Sequence, residues 1–191
     1  MKRVAVTGLG VISPVGNDVP TFWNALCSGT CGIGPITKFD ATDYPVKLAA
    51  EVRDFDPKQY MEKLDILHSD VYTHFAMAAA CQAVADSGIA GTLDAERVGV
   101  YIGSGIGGIA TFMTEHSKLL NRGPRRVSPY FIPMMIPNMA SSMIAMRYHF
   151  HGPAMPMVTA CASGTNAIGE ALRLIRHRSE ERRVGKECRS R

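Results

Sequence analysis

The chain has 191 residues, 46% of them hydrophobic and 20% charged, with a net charge of +4. That is enough chain for one domain with a real apolar core, and no apolar run reaches membrane-spanning length. Residues 178–191 hold five Arg and one Lys against three Glu, so they supply most of the net charge; the body lacks the clustered basic face that nucleic-acid binding needs.

In chain order, the β-prone run Arg3–Thr7 ends at Gly8 and Gly10 and predicts a first buried strand. It is too short in its apolar part for a secretory signal, which points to the cytosol. Asp18 to Pro20 opens a helix through Leu26, and Gly29 closes it. Residues 30–60, rich in Gly, Pro and Asp, read as an excursion with β-prone pieces such as 46–52. The segment from Asp70 to Ser87 has apolar residues at helical spacing and a stop at Gly88.

Val98–Ile102 predicts a second strand, and Ile109–Leu120 the helix after it. A polar loop follows at Arg122–Arg126. Three prolines between Pro129 and Pro137 restrict that stretch to short or broken helix, and Asn138–Phe150 is helical in pattern. Met155–Thr159 predicts a third strand and Ala162–Arg176 a helix with apolar residues on one face. Alternating strands and helices define an α/β protein. Several of the 11 methionines fall between Met134 and Met157, where they suit either core filling or an adaptable lining for an acyl chain.

Five cysteines without a signal peptide argue against a disulfide scaffold. Cys27 and Cys31 have no second Cys/His pair at zinc spacing, so no metal site is expected. Cys161 differs from the others. It stands between a strand and a helix, in Val158-Thr-Ala-Cys161-Ala-Ser-Gly-Thr-Asn. Small neighbours admit a substrate, and the unpaired N–H groups of a helix N-terminus favour thiolate and can hold an oxyanion. An inert buried cysteine is the competing reading, and it applies to Cys81 within its alanine-rich helix. Gly8-Leu-Gly10 and Gly103-Ser-Gly-Ile-Gly-Gly108 follow strands but match neither dinucleotide nor P-loop spacing, so they read as packing turns. The six histidines show no ligand or triad spacing.

Four segments carry a resemblance, in order: residues 4–16, Gly103–Gly108, Pro133–Met139 and Thr159–Gly164. Together they resemble the β-ketoacyl-acyl-carrier-protein synthases, and among these the elongating type II of bacterial fatty acid synthesis. The resemblance covers residues 1–177, read as the N-terminal domain. It implies the N-terminal half of a thiolase-like, layered αβαβα fold. It implies Cys161 as acyl acceptor, Ile106 as a gate of the acyl pocket and Phe131 beside that pocket at a homodimer interface. It implies acyl carrier protein as partner, with substrates carried on phosphopantetheine and no other cofactor. The family's two histidines, lysine and phenylalanine gate belong to its C-terminal half, and none of those regions has a counterpart in this chain. Residues 178–191 do not resemble the family continuation; they read as a disordered basic tail from a truncated or misjoined frame. Two further readings are a non-catalytic fragment that binds acyl chains or a complementary half, and a cysteine hydrolase, which would need a partner histidine.

Overall fold

The structure is a computed structural model that describes residues 3–187, with side chains through His177. Helix α1, Val19–Cys27, starts where the sequence signals it: the Asp18 carboxylate accepts the Thr21 N–H at 2.7 Å, and Pro20 sits in the first turn. The excursion that follows holds one small antiparallel pair, β1 (Gly34–Pro35) with β2 (Leu48–Ala49). The buried carboxylate of Glu51 fastens its turn by accepting the Thr37 and Lys38 N–H groups and the Thr37 hydroxyl.

After α2 (Lys63–Leu67), helix α3 runs Val71–Ser87, capped by Asp70 and ended by Gly88 in the left-handed conformation, as the sequence predicts. Then come β3 (Val100–Gly103), α4 (Ile109–Arg122), α5 (Phe131–Met135), α6 (Met139–Tyr148), β4 (Ala154–Met157) and α7 (Ser163–Glu187). The prolines hold α5 to five residues. Helix α7 continues past His177 into the charge-dense segment that the sequence sets apart; residues 188–191 lie outside the described residues.

Strands β3 and β4 pair in parallel, Val100 opposite Ala154 through Gly103 opposite Met157. Because side chains alternate across a strand, each residue type has a fixed face. Val100, Ile102 and Ala154 pack with Met61 and Met77, the latter on α3, and with Ile144 and Ala145 of α6; these residues form the core. Tyr101, Met155 and Met157 stand on the other face, against α7. The result is helix, sheet and helix in layers, with the carboxyl ends of both strands at one edge. Full burial of each large core side chain contributes about 1.5–3 kcal/mol.

The first predicted strand is not a strand. Residues 3–12 form no regular element and have no strand partner among the described residues, and Val6 is 80% exposed. β-prone composition extends a chain, but a strand also needs a ladder. Here the Leu9 N–H goes to the Asp86 carboxylate at 2.9 Å and the Val11 N–H to the Gln82 side chain at 3.0 Å, both on α3.

Candidate functional site

Cys161 is exposed at the carboxyl end of the parallel pair, the edge at which open α/β sheets place ligands. It sits in a 3₁₀ turn, Ala160–Ala162, and α7 begins at Ser163, so the helix starts one residue later than the sequence suggests. The turn is tight enough that Ala160 takes φ +50°. A left-handed alanine costs roughly 1–2 kcal/mol, and local hydrogen bonds offset it. The Ser163 hydroxyl donates to the Ala160 carbonyl at 2.7 Å and accepts the Thr159 N–H at 2.9 Å. The Ala162 N–H closes onto the Thr159 carbonyl at 3.0 Å. Asn166 donates to the Thr159 hydroxyl at 2.7 Å, tying the first turn of α7 back to the same segment.

Ser163 is the residue that sequence reasoning missed. It is buried while its neighbour Cys161 is exposed. The available signal was a hydroxyl at the first helical position after a turn of small residues, a common way to satisfy a tight turn.

The loop from Gly103 to Gly108 passes directly over this turn. A Cβ on Gly103 would lie 2.4 Å from the Ser163 backbone, so only glycine lets β3 approach the start of α7. Ser104 donates its N–H to the Met157 carbonyl at 3.0 Å and its hydroxyl oxygen accepts the Gly107 N–H at 2.9 Å. Gly107 adopts φ +80° against the Met135 carbonyl, and Gly108 donates to that carbonyl at 2.8 Å. The loop therefore brings Ile106, 66% exposed, to the strand edge that carries Cys161.

Phe131 opens α5, the helix that braces this loop through Met134 and Met135, and its ring packs on Phe112 of α4 at 6.2 Å. The structure thus joins Cys161 and Ile106 at one edge and sets Phe131 one element away. A separate open groove of about 690 Å³ runs along α7, bounded by Tyr101, Met155, Met157, Asn166 and Arg173. Neither Cys161, Ile106 nor Phe131 lines it.

A cysteine on a braced turn between a parallel strand and a long helix, under a glycine loop, defines an α/β chain of the thiolase-like kind. The chain belongs to the family described as beta-ketoacyl synthase, N-terminal domain, which matches residues 1–182. It is 49% identical over 177 residues to 3-oxoacyl-[acyl-carrier-protein] synthase 2 of Coxiella burnetii, a match covering 92% of this chain and 43% of that protein. The enzyme of the same name from Synechocystis is 46% identical over 177 residues, with 92% and 42% covered. The chain therefore spans less than half the length of these relatives.

Solved structures agree on the fold. The ishigamide ketosynthase/chain length factor superposes with TM-score 0.77 at 28% identity, covering 91% of this chain and 44% of that one. A type II polyketide acyl-carrier protein in complex with its ketosynthase gives 0.79 at 25%, covering 93% and 47%. A beta-ketoacyl synthase from Burkholderia phymatum gives 0.77 at 26%, covering 90% and 43%.

Proposed function

We propose that this chain is the nucleophile-bearing half of a 3-oxoacyl-acyl-carrier-protein synthase of fatty acid elongation. The observation that carries the reading is the exposed Cys161 on its Ser163-braced turn, beside Ile106 at the strand edge. In this reading the Cys161 thiolate attacks the acyl thioester of the carrier protein. A new carbon–sulfur bond forms, the carrier's breaks, and the phosphopantetheine thiolate leaves and takes up a proton. Backbone N–H groups at the start of α7 hold the oxyanion. Condensation is the second half of the reaction. Malonyl carrier protein loses carbon dioxide, and the resulting carbanion attacks the Cys161 thioester. Cys161 is released, and the carrier holds a 3-oxoacyl chain two carbons longer. The resemblance assigns that half to histidines with no counterpart here, so self-acylation is the step these residues support. The complete enzyme pairs as a homodimer in this reading. The substrates arrive on phosphopantetheine and no other cofactor is used.

The test is mass spectrometry of the chain after treatment with an acyl-carrier-protein thioester, with Cys161→Ala as control. One acyl adduct that disappears in the alanine variant supports the reading; no adduct on the folded chain overturns it. Release of free acid in place of an adduct would make Cys161 a hydrolase nucleophile.

The exposed groove along α7 favours a second reading, a non-catalytic fragment that binds acyl chains or a complementary half there. Saturable acyl-chain binding that survives Cys161→Ala, without any adduct, selects it.

A further inference from the structure

Helix α4 begins at Ile109, and its N-cap residue, Gly108, has no side chain to cap it. The cap comes from another helix. Asp70, 6% exposed, accepts the Thr111 N–H through Oδ2 at 2.7 Å, while Oδ1 accepts the Tyr72 N–H at 3.3 Å and caps α3. One carboxylate thus satisfies the first turns of two helices that lie 41 positions apart in the bond it makes. It also fills the space beside Gly108, whose added Cβ would meet the Asp70 Cβ at 3.0 Å.

We infer that Asp70 is a positioning residue for the acyl site: by capping α4 from α3 it fixes the loop that carries Ile106. The loop has three anchors. Ser104 is held to β4, Gly108 to the Met135 carbonyl, and the start of α4 to Asp70. The first two are backbone bonds within the loop's own neighbourhood. Asp70 ties it directly to α3, whose Tyr72 hydroxyl also donates to the Ile136 carbonyl beside Met135, and through α3 to the core. The meaning of Ile106 rests on the proposed function; the clamp itself does not.

The variant Asp70→Ser separates the two caps. Serine is a good N-cap for its own helix, but its hydroxyl is one bond too short to reach Thr111. Amide hydrogen exchange of the full 191-residue chain is expected to stay unchanged at Tyr72. It should rise about five- to thirtyfold at Thr111 and across residues 104–111, the range that loss of a cap brings. Asp70→Asn, which keeps an acceptor of the same length, should restore much of the protection. Unchanged exchange at residues 104–111 in Asp70→Ser would overturn the inference. Equal increases at Tyr72 and Thr111 would also overturn it, because they would mean general loosening of α3. A second arm compares Cys161 acylation by short and long acyl thioesters. A normal wild-type adduct with a chain-length ratio shifted in Asp70→Ser supports the positioning role. An unshifted ratio despite raised exchange overturns it. Absence of any wild-type adduct rejects the proposed function and leaves the clamp to be decided by exchange.

Discussion

Ser163 holds Ala160 in a left-handed conformation: its hydroxyl donates to the Ala160 carbonyl at 2.7 Å and accepts the Thr159 N–H at 2.9 Å. The nucleophile sits between the two partners of that bond, so the orientation of Cys161 depends on it. Ser163→Ala leaves the Thr159 N–H without its partner and removes one of two bonds to the Ala160 carbonyl, which keeps the residue-163 backbone N–H, a loss of about 1–3 kcal/mol. The expected outcome is a lower urea midpoint and at least a tenfold slower acylation of Cys161, an order-of-magnitude figure for losing one positioning bond. Thr should restore both in part, because it keeps the hydroxyl. Wild-type acylation rates in Ser163→Ala would show that the turn does not orient the nucleophile.

Ile106 stands at the strand edge beside the cysteine turn, on a loop held from three sides. In a complete condensing enzyme carrying these residues, Ile106→Phe adds bulk that an anchored loop cannot yield to. Overpacking of this kind costs about 1–3 kcal/mol. Extension of long acyl chains should fall roughly five- to a hundredfold relative to short ones, by the same cost. Competition between a short and a long acyl carrier substrate reads the ratio directly; an unchanged preference refutes the gating role.

Three exposed arginines, Arg122, Arg125 and Arg126, stand immediately ahead of α5. In the proposed reaction a carrier protein would bring a phosphodiester to the site, and such a cluster would raise its local concentration. Reversing charge with Arg125→Glu and Arg126→Glu should slow acylation by carrier thioester about tenfold at low salt, with the difference shrinking as ionic strength rises. Acylation by a small uncharged thioester should not change. Equal slowing of both donors would point to a folding defect and rule out steering.

What could be read in the sequence divides along a physical line. Caps and stops are local, so α1 and α3 were legible from Asp18, Pro20, Asp70 and Gly88. The strand–Cys–helix order at 161 was legible for the same reason. Pairing is not local. Arg3–Thr7 has strand composition, yet α3 side chains take the donors of Leu9 and Val11 and no strand lies beside it among the described residues. The bond from Asp70 to Thr111 spans 41 positions and has no periodic signature, and the strain at Ala160 shows only in its φ. Those two features place Ile106 and Cys161, so the candidate residues were legible in the sequence and their bracing was not.

His74 gives the fold a pH dependence. It is buried on α3, with Nε2 3.2 Å from the Ile66 carbonyl and 3.0 Å from the Ser69 hydroxyl. Burial pushes its pKa below the ordinary imidazole value, and the bond to the Ile66 carbonyl and the nearby Asp70 carboxylate only partly oppose this. The unfolded chain therefore takes up a proton near pH 6.5 that the folded chain resists. Stability is full above about pH 6.5 and falls as pH drops through and below it. Glu51 and Glu115 are held below the usual carboxylate range by the Thr37 hydroxyl and by Lys118, so their losses come at more acid pH. Urea midpoints at about pH 7.5 and 5.5, on either side of that imidazole value, should differ in the wild type and converge in His74→Gln. An identical drop in both proteins would place the titrating group elsewhere.

The apolar surface sets the last expectation. Val6 is 80% exposed and Ile168, on α7, 74%, and both edges of the β3–β4 pair lack a strand neighbour among the described residues. Monomeric proteins rarely leave such patches open, and open strand edges recruit other chains. The isolated chain should keep its folded core but self-associate through these faces, with strong binding of a hydrophobic dye and a broad thermal transition. Co-expression with a polypeptide covering the rest of a close relative should sharpen the melt and suppress the dye signal, because the added half would cover the same surfaces. Sedimentation and calorimetry on the purified chain decide the matter: a monomer with one sharp, cooperative melt and no dye binding would mean that these faces are stable in water on their own.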